Sequence, residues 1–544
     1  MPASDTPICI IGAGPVGLTA ACELQRSGTP VRIVDRRQRP EEAVPVSPGA
    51  RPGTNPQRRQ SKAIIVWPRT LEVLAGIGLA GRCIEAGHCV QGVRFHADGR
   101  HLAAVRMTAI RDSPYNTLLM LPQWRTEALL RESFERMGGS IEWGTELLGL
   151  EPTAPSGASI SLRHPGGGVE ATWSRWVIGA DGAQSKVRME LGIKPLKMSQ
   201  SLSFAIADVE LAGPIDRTAL HYYYSRRGAL GVGPLGGTTC RLALNVAPGT
   251  EPTAALLQEA LDQRTGTGAR ITDIQWSTIF TLKALLAERF QRGSVFLCGD
   301  AAHVVSPAGG QGLNTGMHDA SNLAWKIVAV EAGHAPDRLL DTYSEERYAA
   351  VERISRITDR QTRWGLIEHS GPRMLRNISV RGLGRGGILE KTTAPMLAQT
   401  DGVYGKARAF DILRYPRIRR GGRLPYVAHQ AGRGIAESKS LTLFVSTDSG
   451  AEALYGTGGG PLDSFVAGLP PWVDVRALRP NGDSSEAKLV HLAGSRAAMI
   501  LVRPDGHVLA TGTCAKPSAV SEAIARFARG YVEKTDSSPI QEAI

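Results

Sequence analysis

The chain has 544 residues, of which 42% are hydrophobic and 21% are charged, an ordinary composition for a globular protein of three or four domains. The net charge of +12 is scattered along the chain without the motifs of a nucleic-acid-binding fold, so nucleic acid is not an expected partner. No apolar run reaches the roughly 20 residues of a membrane span, and no signal-peptide pattern is present, which favours a cytoplasmic protein without stable membrane insertion.

The first pattern along the chain is typical of a dinucleotide-binding fold. An apolar run at 8–11 predicts a strand, and it leads directly into residues 12–17 (GAGPVG), which have the spacing GxGxxG. The first glycine permits a tight turn, the second lets backbone approach a pyrophosphate, and the third lets the following helix pack on the strand. A second strand ends at Asp35, 23 positions after the first glycine, where a carboxylate that binds ribose is expected.

A similar pattern recurs near residue 180. An apolar run precedes Asp181 and Gly182, and the residues from Ser185 to Arg188 are typical of the start of a helix. Taken alone, this pattern favours an ordinary turn in which Ser185 is the helix N-cap.

The third pattern is the most informative. An apolar run at 294–298 predicts a buried strand that leads into Gly299 and Asp300, and Pro307, a glycine-rich loop and a helix over 317–326 follow. The carboxylate can accept hydrogen bonds from ribose or ribityl hydroxyls, and the free N–H groups of the loop can face an anion at the helix N-terminus. The segment therefore predicts a second half of the nucleotide site.

In their order and spacing, the three motifs resemble those of the single-component flavoprotein aromatic hydroxylases, the p-hydroxybenzoate and phenol hydroxylase-like monooxygenases. Residues 121–127 (LPQWRTE) resemble the family's FAD-contacting glutamine segment. The similarity covers approximately residues 7–360. Lys62 is a departure from the family pattern, because it stands where the family has an arginine and a lysine lacks the planar guanidinium fork.

The resemblance implies an α/β protein with a discontinuous, Rossmann-like FAD-binding domain at 1–189 and 290–360. An inserted antiparallel-sheet substrate domain is expected at 190–289, a helical and loop linker at 361–420, and a thioredoxin-like α/β domain at 421–532. The C-terminal segment has no CxxC, so a dithiol redox role is not expected for it. The seven cysteines are far apart without metal-ligand spacing, which favours free, buried thiols and no metal site.

The resemblance also implies an enzyme that uses FAD, NADPH or NADH as co-substrate, and O2. Its flavin hydroperoxide would hydroxylate a phenolic or polycyclic aromatic substrate in secondary metabolism or aromatic catabolism. Alternatives on the same scaffold are Baeyer–Villiger insertion, epoxidation and a non-catalytic FAD-binding protein that sequesters a pathway intermediate. Because the sequence has a single GxGxxG, NAD(P)H is expected to dock transiently at the surface of a monomer or homodimer.

By this resemblance, a set of main-chain and side-chain groups from the three motifs and their neighbours is expected to hold FAD. These residues are Gly12, Gly14, Pro15, Val16, Gly17, Asp35, Arg36, Lys62, Gln123, Asp181, Arg188, Gly299, Asp300, Pro307, Gly310, Gly312, Leu313 and Asn314.

Catalytic residues are not assigned, and the candidates are Tyr222, Tyr224 and Pro307. The two tyrosines share a face if the segment is a strand, so either sheet packing or contact with an aromatic substrate would explain them. Pro307 would form a rigid wall beside the flavin ring, because its φ is fixed. His303 could be a general base, but its place in the loop favours a structural role.

Overall fold

The computed structural model describes residues 7–40, 62–153, 156–198, 202–404, 418–425, 441–446, 461–478, 484–493 and 498–531. The chain divides into two compact units. The first unit comprises Met1–Ile110, Tyr115–Ser321 and Val351–Gln399, and the second comprises Arg111–Pro114, Asn322–Ala350 and Thr400–Ile544. The five domain boundaries expected from the sequence stay predictions, and parts of the segments 361–420 and 421–532 lie outside the described residues.

The strands are numbered in chain order. They are β1 (Ile8–Ile11), β2 (Arg32–Asp35), β3 (Ile65–Val66), β4 (His88–Val90), β5 (Gly92–Ala97), β6 (Arg100–Arg106), β7 (Leu118–Met120), β8 (Ile141–Trp143), β9 (Glu146–Pro152), β10 (Ala158–Arg163), β11 (Val169–Ser174), β12 (Trp176–Gly179), β13 (Pro195–Met198), β14 (Leu202–Ala212), β15 (Leu220–Ser225), β16 (Gly228–Gly236), β17 (Thr239–Val246), β18 (Arg270–Leu282), β19 (Leu285–Ala287), β20 (Gln291–Arg292), β21 (Val295–Leu297), β22 (His303–Val304), β23 (Thr442–Ser446), β24 (Asp474–Leu478), β25 (Ala498–Val502) and β26 (Val508–Thr513).

The α-helices are numbered in the same way. They are α1 (Pro15–Arg26), α2 (Pro68–Gly76), α3 (Ala80–Ala86), α4 (Gln123–Arg136), α5 (Lys186–Glu190), α6 (Ala254–Thr265), α7 (Gly312–Glu331), α8 (Asp341–Gly365), α9 (Ser370–Arg385), α10 (Ile388–Leu397), α11 (Pro461–Ala467), α12 (Ser484–Ala493) and α13 (Ser518–Ala528). Within the described part of the chain, none of the helices is long and apolar enough to cross a membrane.

A six-stranded sheet in the order β20–β21–β12–β1–β2–β8 carries all three sequence motifs. The strands from β21 to β8 are parallel neighbours, and β20 is an antiparallel addition at the edge. The carboxyl ends of parallel strands lie at the same edge of a sheet, which is where α/β proteins bind nucleotides. The turns after β1, β2, β12 and β21 therefore meet along one edge, and the Rossmann-like prediction is confirmed.

A second sheet of the first unit has seven strands in the order β18–β14–β17–β16–β15–β5–β6. All its pairs are antiparallel except β15 with β5. One face is buried against α6 in a core that includes Val209, Tyr223, Leu242 and Leu257. Because side chains alternate along a strand, Tyr222 and Tyr224 lie on the opposite face, as the sequence predicted.

The second unit contains a four-stranded sheet in the order β24–β23–β25–β26, in which β23 and β24 are parallel and the other pairs are antiparallel. This mixed sheet agrees with the thioredoxin-like interpretation, which stays a prediction. Across the whole protein five of the seven cysteines are buried, whereas Cys514 is half-buried and Cys89 is exposed. The expectation of a buried thiol is therefore wrong for Cys89, which lies on the short strand β4 with its side chain outward.

A buried ion cluster stabilises the second unit. The guanidinium of Arg503 donates to both carboxylate oxygens of Glu346 at 2.6 and 2.9 Å and to those of Asp505 at 3.0 and 2.6 Å. It lies between the rings of Trp325 and Tyr404, 4.9 and 5.0 Å from their centroids. Burial alone would raise the pKa of Glu346, but the positive charges of Arg503 and Lys326 outweigh it and lower that pKa from 4.5 to about 2.

The Arg503→Ala substitution should lower the free energy of unfolding of the second unit by about 3–5 kcal/mol, because it removes the guanidinium that pairs with both Glu346 and Asp505 and leaves Lys326 to neutralise Glu346. The depressed pKa means that the stabilisation is present above pH 4.5 and is lost as the pH falls towards about 2. Urea titrations at several pH values should thus show a difference between wild type and variant that shrinks in acid. Arg526→Ala is the control, since Arg526 pairs with an exposed Glu522 and should change stability by about 0.5 kcal/mol or less.

Candidate functional site

The turn after β1 is built from close backbone contacts. A Cβ atom added at Gly17 would lie 1.9 Å from the carbonyl oxygen of Gly12, and one added at Gly12 would lie 2.5 Å from that of Ala180. Helix α1 begins at Pro15 after Gly14, and no side chain caps it. Its first N–H groups, beginning at Val16 because proline has none, therefore point out of the sheet edge and can bind a pyrophosphate.

Asp35 lies beside this turn, at the end of β2, and is 6% exposed. Its Oδ2 accepts a hydrogen bond from the main-chain N–H of Ala13 at 2.8 Å. Arg37 contacts the same carboxylate at 3.0 Å. Arg36, which the sequence predicted to bind the cofactor, is exposed.

Arg37 also connects Asp35 to the glutamine segment. Its guanidinium donates to Glu127 at 3.3 Å, and Gln123 at the start of α4 donates to the other oxygen of Glu127 at 2.9 Å. Arg37 and Glu127 were missed by reasoning from the sequence, because their link spans 90 positions. The FAD-binding roles of Asp35, Arg36 and Gln123 stay predictions.

The turn after β12 combines a helix cap with an unsatisfied acceptor. Ser185 is the N-cap of α5, since its hydroxyl accepts from the N–H of Arg188 at 3.0 Å, as the simpler interpretation predicted. Asp181 accepts from the N–H of Val187 through Oδ2, but its Oδ1 is buried without a hydrogen-bond partner. Burial raises the pKa of Asp181. This orphaned oxygen lies next to the glycine turn, because the Cα of Asp181 is 3.1 Å from the Cβ position of Gly12.

Arg188 joins two of the motifs through main-chain contacts. Its guanidinium donates to the carbonyl oxygen of Ala301 at 2.7 Å and to that of Ala183 at 2.9 Å. Burial lowers the pKa of Arg188. The arginine thus holds the turn after β12 against the turn after β21, and direct contact with FAD or a nicotinamide cofactor stays a prediction.

The turn after β21 places Asp300 in a recess. Gly299 has φ +61°, and a Cβ atom there would lie 2.8 Å from the side chain of Val16 at the start of α1. Asp300 is exposed, yet the surrounding protein raises the pKa of its carboxyl, and the positive charge of Lys62 acts in the opposite direction. Solvent therefore reaches the carboxylate of Asp300 but solvates it poorly, which is typical of a carboxylate in a crevice and not of one on a convex surface.

His303 has a structural environment. Its Nε2 lies 2.7 Å from Oδ2 of Asp319, and both side chains are fully buried. The same Asp319 oxygen accepts from the N–H of Gly299 at 3.0 Å. Asp319 was not identified from the sequence, although its position on α7 makes it the residue that holds the start of the third motif.

The loop from Pro307 to the start of α7 is fixed by its neighbours. The side chain of Asn314 accepts from the N–H of Trp67 at 2.9 Å and donates to the carbonyl oxygens of Ile65 and Gly310 at 2.9 and 2.8 Å. Gly310 has φ +60°, and a Cβ atom there would meet the Ile65 side chain at 2.6 Å. Asn314 therefore uses its side chain to hold the loop against β3.

Helix α7 begins at Gly312, so the N–H groups of Gly312, Leu313 and Asn314 have no partner within the helix. The sequence predicted this helix only from residue 317. Pro307 is half-buried at the other end of the loop, and its carbonyl oxygen accepts from the N–H of Gly310 at 2.9 Å. The contacts of these residues with a flavin stay predictions.

The geometry fits FAD. The uncapped start of α1 and the orphaned oxygen of Asp181 suit a pyrophosphate with its ribose and ribityl groups. So does the close backbone packing at Gly12 and Gly17, where any Cβ would collide with a carbonyl oxygen. The free N–H groups at the start of α7 suit the negative edge of a reduced flavin. When bound, FAD would supply two-electron redox chemistry that amino-acid side chains lack.

Comparison with known proteins identifies the family. A family model described as "FAD binding domain" matches residues 5–358, more than half of the chain. A flavin-dependent monooxygenase of Mycobacteroides abscessus is 32% identical over 524 residues, which are 92% of this chain and 96% of that protein. The chain belongs to the flavoprotein aromatic hydroxylases.

Two further relatives show where the similarity is concentrated. The 6-methylpretetramide 4-monooxygenase of Streptomyces rimosus is 35% identical over 360 residues, 65% of this flavoprotein hydroxylase chain but only 61% of the relative's length. The solved structure of OxyS anhydrotetracycline hydroxylase, also from Streptomyces rimosus, has a TM-score of 0.72 and 26% identity, and the match covers 96% of this chain and 99% of that one.

Gly17→Ala should lower the FAD content of the purified flavoprotein at least tenfold, because the new methyl group would collide with the carbonyl oxygen of Gly12 at 1.9 Å. Flavin absorbance per polypeptide measures the effect, after circular dichroism has shown that the variant is folded. Gly81→Ala in helix α3 is the matched control, since a Cβ there meets nothing within 4 Å. A folded Gly17→Ala protein with wild-type flavin content would contradict the assignment of the cradle.

Proposed function

We propose that the chain is an FAD- and NAD(P)H-dependent monooxygenase that hydroxylates a neutral polycyclic phenol. One NAD(P)H supplies two electrons, one oxygen atom of O2 becomes the new hydroxyl group on the ring carbon, and the other leaves as water with a proton from solvent. The observation that carries the proposal is an aromatic-walled hollow on the seven-stranded sheet, beside the loop at 307–314. The relatives described above, which are monooxygenases, support the same reaction class.

The floor of the hollow is a row of directly paired residues. Phe95, Tyr222, Gly231, Ala243 and Ile206 are neighbours on five successive strands, so their side chains share one face. Gly231 and Ala243 are small, so the middle of the row is a depression between the side chains of Tyr222 and Ile206. The strands that carry Tyr222 and Ile206 are roughly 14 Å apart, because neighbouring strands are separated by about 4.8 Å. A Cβ atom at Gly231 would lie 3.7 Å from a ring carbon of Tyr222 and 3.8 Å from the Cβ of Ala243, which are ordinary van der Waals distances, so a methyl group would fit there without a clash.

Aromatic rings form the walls of the hollow. Tyr222 stacks on Phe95 with a centroid distance of 6.0 Å, and Phe204 stacks on Phe280 at 5.6 Å. These four side chains are half-buried, and Phe95 and Tyr222 also pack against the buried core that includes Leu397. Flat aromatic walls on an apolar floor bind a flat aromatic ligand by stacking.

Tyr222 connects the hollow to the third motif. Burial raises the pKa of its phenol to about 12, although a hydrogen bond from the main chain of Gly309 favours the phenolate and acts to lower that pKa. The hydroxyl is thus protonated at neutral pH, and it can donate to an oxygen of the substrate. The alternative role expected from the sequence, simple sheet packing, applies to Tyr224, because Arg376 covers its ring at 5.0 Å.

The charges around the hollow favour a neutral substrate. Arg241 is 3% exposed and pairs with Asp208 at 2.5 and 2.8 Å. Arg376 donates to the carbonyl oxygen of Trp364 at 2.7 Å and to Asn377. The ammonium of Lys62 lies over the ring of Phe280, within reach of the charge of Asp300.

Arg241 and Arg376 therefore already have hydrogen-bond partners, and the Lys62 ammonium already faces the Phe280 ring and the charge of Asp300. We expect a substrate carboxylate to find no dedicated cation on this face, so that its desolvation would be costly. We also place the enzyme in the cytoplasm, where NAD(P)H is available, and its buried free thiols are compatible with that compartment.

The decisive assay combines flavin content, cofactor oxidation and product mass. The purified protein should contain FAD, and a neutral polycyclic phenol should accelerate oxidation of NADPH or NADH and yield a product with one oxygen atom from labelled O2. A carboxylated analogue should have a kcat/KM at least tenfold lower. Absence of FAD after reconstitution would overturn the proposal, and an unlabelled, unchanged phenol would favour a flavoprotein that only sequesters its ligand.

Gly231→Leu should fill the floor of the hollow and raise the KM for the polycyclic phenol at least tenfold, while the flavin content stays unchanged. Steady-state kinetics with equal amounts of flavin-loaded enzyme measure the effect. Thr272→Leu, on an exposed part of β18, is the control and should leave KM unaltered. If Gly231→Leu kept the wild-type KM, the hollow would not be the substrate site.

A further inference from the structure

Helix α9 and its flanks concentrate exposed apolar side chains. Among the described residues eleven large hydrophobic side chains are exposed, and six of them fall between residues 364 and 388. They are Trp364, Met374, Leu375, Ile378, Leu383 and Ile388. A cluster of this kind on one helix and its flanks is typical of an interaction surface, because scattered exposed residues would need no explanation.

The helix has an inner and an outer face. Gly384 packs inward, where a Cβ atom would lie 2.9 Å from the Cβ of Ala103 on β6, and Arg376 lies inward over Tyr224. At 100° per residue, Met374, Leu375 and Ile378 fall on the opposite side and are 64%, 67% and 60% exposed. We name these three residues the outer stripe.

The segment that carries the outer stripe is basic. Residues 370–389 contain four arginines and no aspartate or glutamate. Arg373 pairs with Asp98 at 2.6 Å and Arg376 is buried, so two arginines are used by the fold. The other two, Arg381 and Arg385, are exposed, and the helical period places Arg381 at the border of the stripe and Arg385 in line with it, about two turns beyond Ile378.

We propose that α9 docks on an anionic lipid surface, with the outer stripe among the acyl chains and Arg381 and Arg385 at the phosphate groups. An exposed apolar stripe bordered by arginine is the pattern of helices that lie in a membrane interface. The anionic cytoplasmic leaflet attracts such basic segments. This is surface binding, which needs no membrane-spanning helix and is independent of the proposed reaction.

A second copy of the chain fits the surface less well. A two-fold interface apposes the same patch from both subunits, so the exposed arginines of both copies would be brought into one interface. The segment 370–389 has no acidic residue to compensate for that repulsion. An anionic bilayer satisfies the apolar stripe and the arginines at once.

Vesicle flotation of the FAD-loaded full-length protein tests the proposal. Binding to phosphatidylcholine vesicles that contain phosphatidylglycerol should exceed binding to pure phosphatidylcholine at least tenfold, and should weaken as salt is raised. The double variant Leu375→Glu/Ile378→Glu should lose at least tenfold in binding. Arg381→Gln/Arg385→Gln should remove most of the preference for anionic lipid.

Val169→Glu is the matched control, because Val169 is 63% exposed on β11, away from α9, and its substitution should leave lipid binding unchanged. Flavin content and circular dichroism show that each variant is folded, and neither measurement requires a turnover assay. Equal binding to both vesicle types, or none, would overturn the proposal. A dimer in light scattering that Leu375→Glu/Ile378→Glu dissociates would also overturn it, in favour of a second copy.

Discussion

Backbone packed directly on backbone, at the edge of the parallel sheet, is the constraint on which the rest of the site depends. The Cβ positions of Gly12 and Gly17 are already taken by the carbonyl oxygens of Ala180 and Gly12, at 2.5 and 1.9 Å. Only glycine lets β12 and the first turn of α1 approach β1 so closely. The same approach leaves the uncapped N–H groups of α1 at the surface, so one steric requirement produces both the fold and the anion site.

Rigidity in the rest of the cofactor crevice comes from side chains that contact backbone. Asn314 holds the main chain beside β3, and Asp319 and Arg188 hold the turn after β21. Because these three polar groups are buried and paired, the free N–H groups of the neighbouring loop keep their direction without a ligand. Preorganised donors of this kind stabilise developing negative charge at little reorganisation cost.

The seven-stranded sheet has a different function on each face. Large aliphatic side chains such as Leu242 close one face against α6, whereas Gly231 and Ala243 keep the other face open. The period of two along each strand makes this division possible, and the small residues decide where the opening lies. Since Tyr222 lies beside Gly309, that opening adjoins the loop expected at the flavin ring.

The sequence by itself determined the local parts of this protein. Spacing within a few residues predicted β1, the glycine turn, the position of Asp35 and the cap formed by Ser185, because each depends on backbone geometry over one or two turns. The family motifs also predicted that three distant segments share one site, and the parallel sheet brings them to one edge.

Only the tertiary structure decided which groups are partners. Arg37 rather than Arg36 contacts Asp35, and Asp319 rather than solvent contacts His303. Arg188 reaches a carbonyl oxygen 113 positions away. No local period encodes such contacts, because they depend on how complete strands and helices pack, and a side chain's partner is fixed only when that packing is fixed.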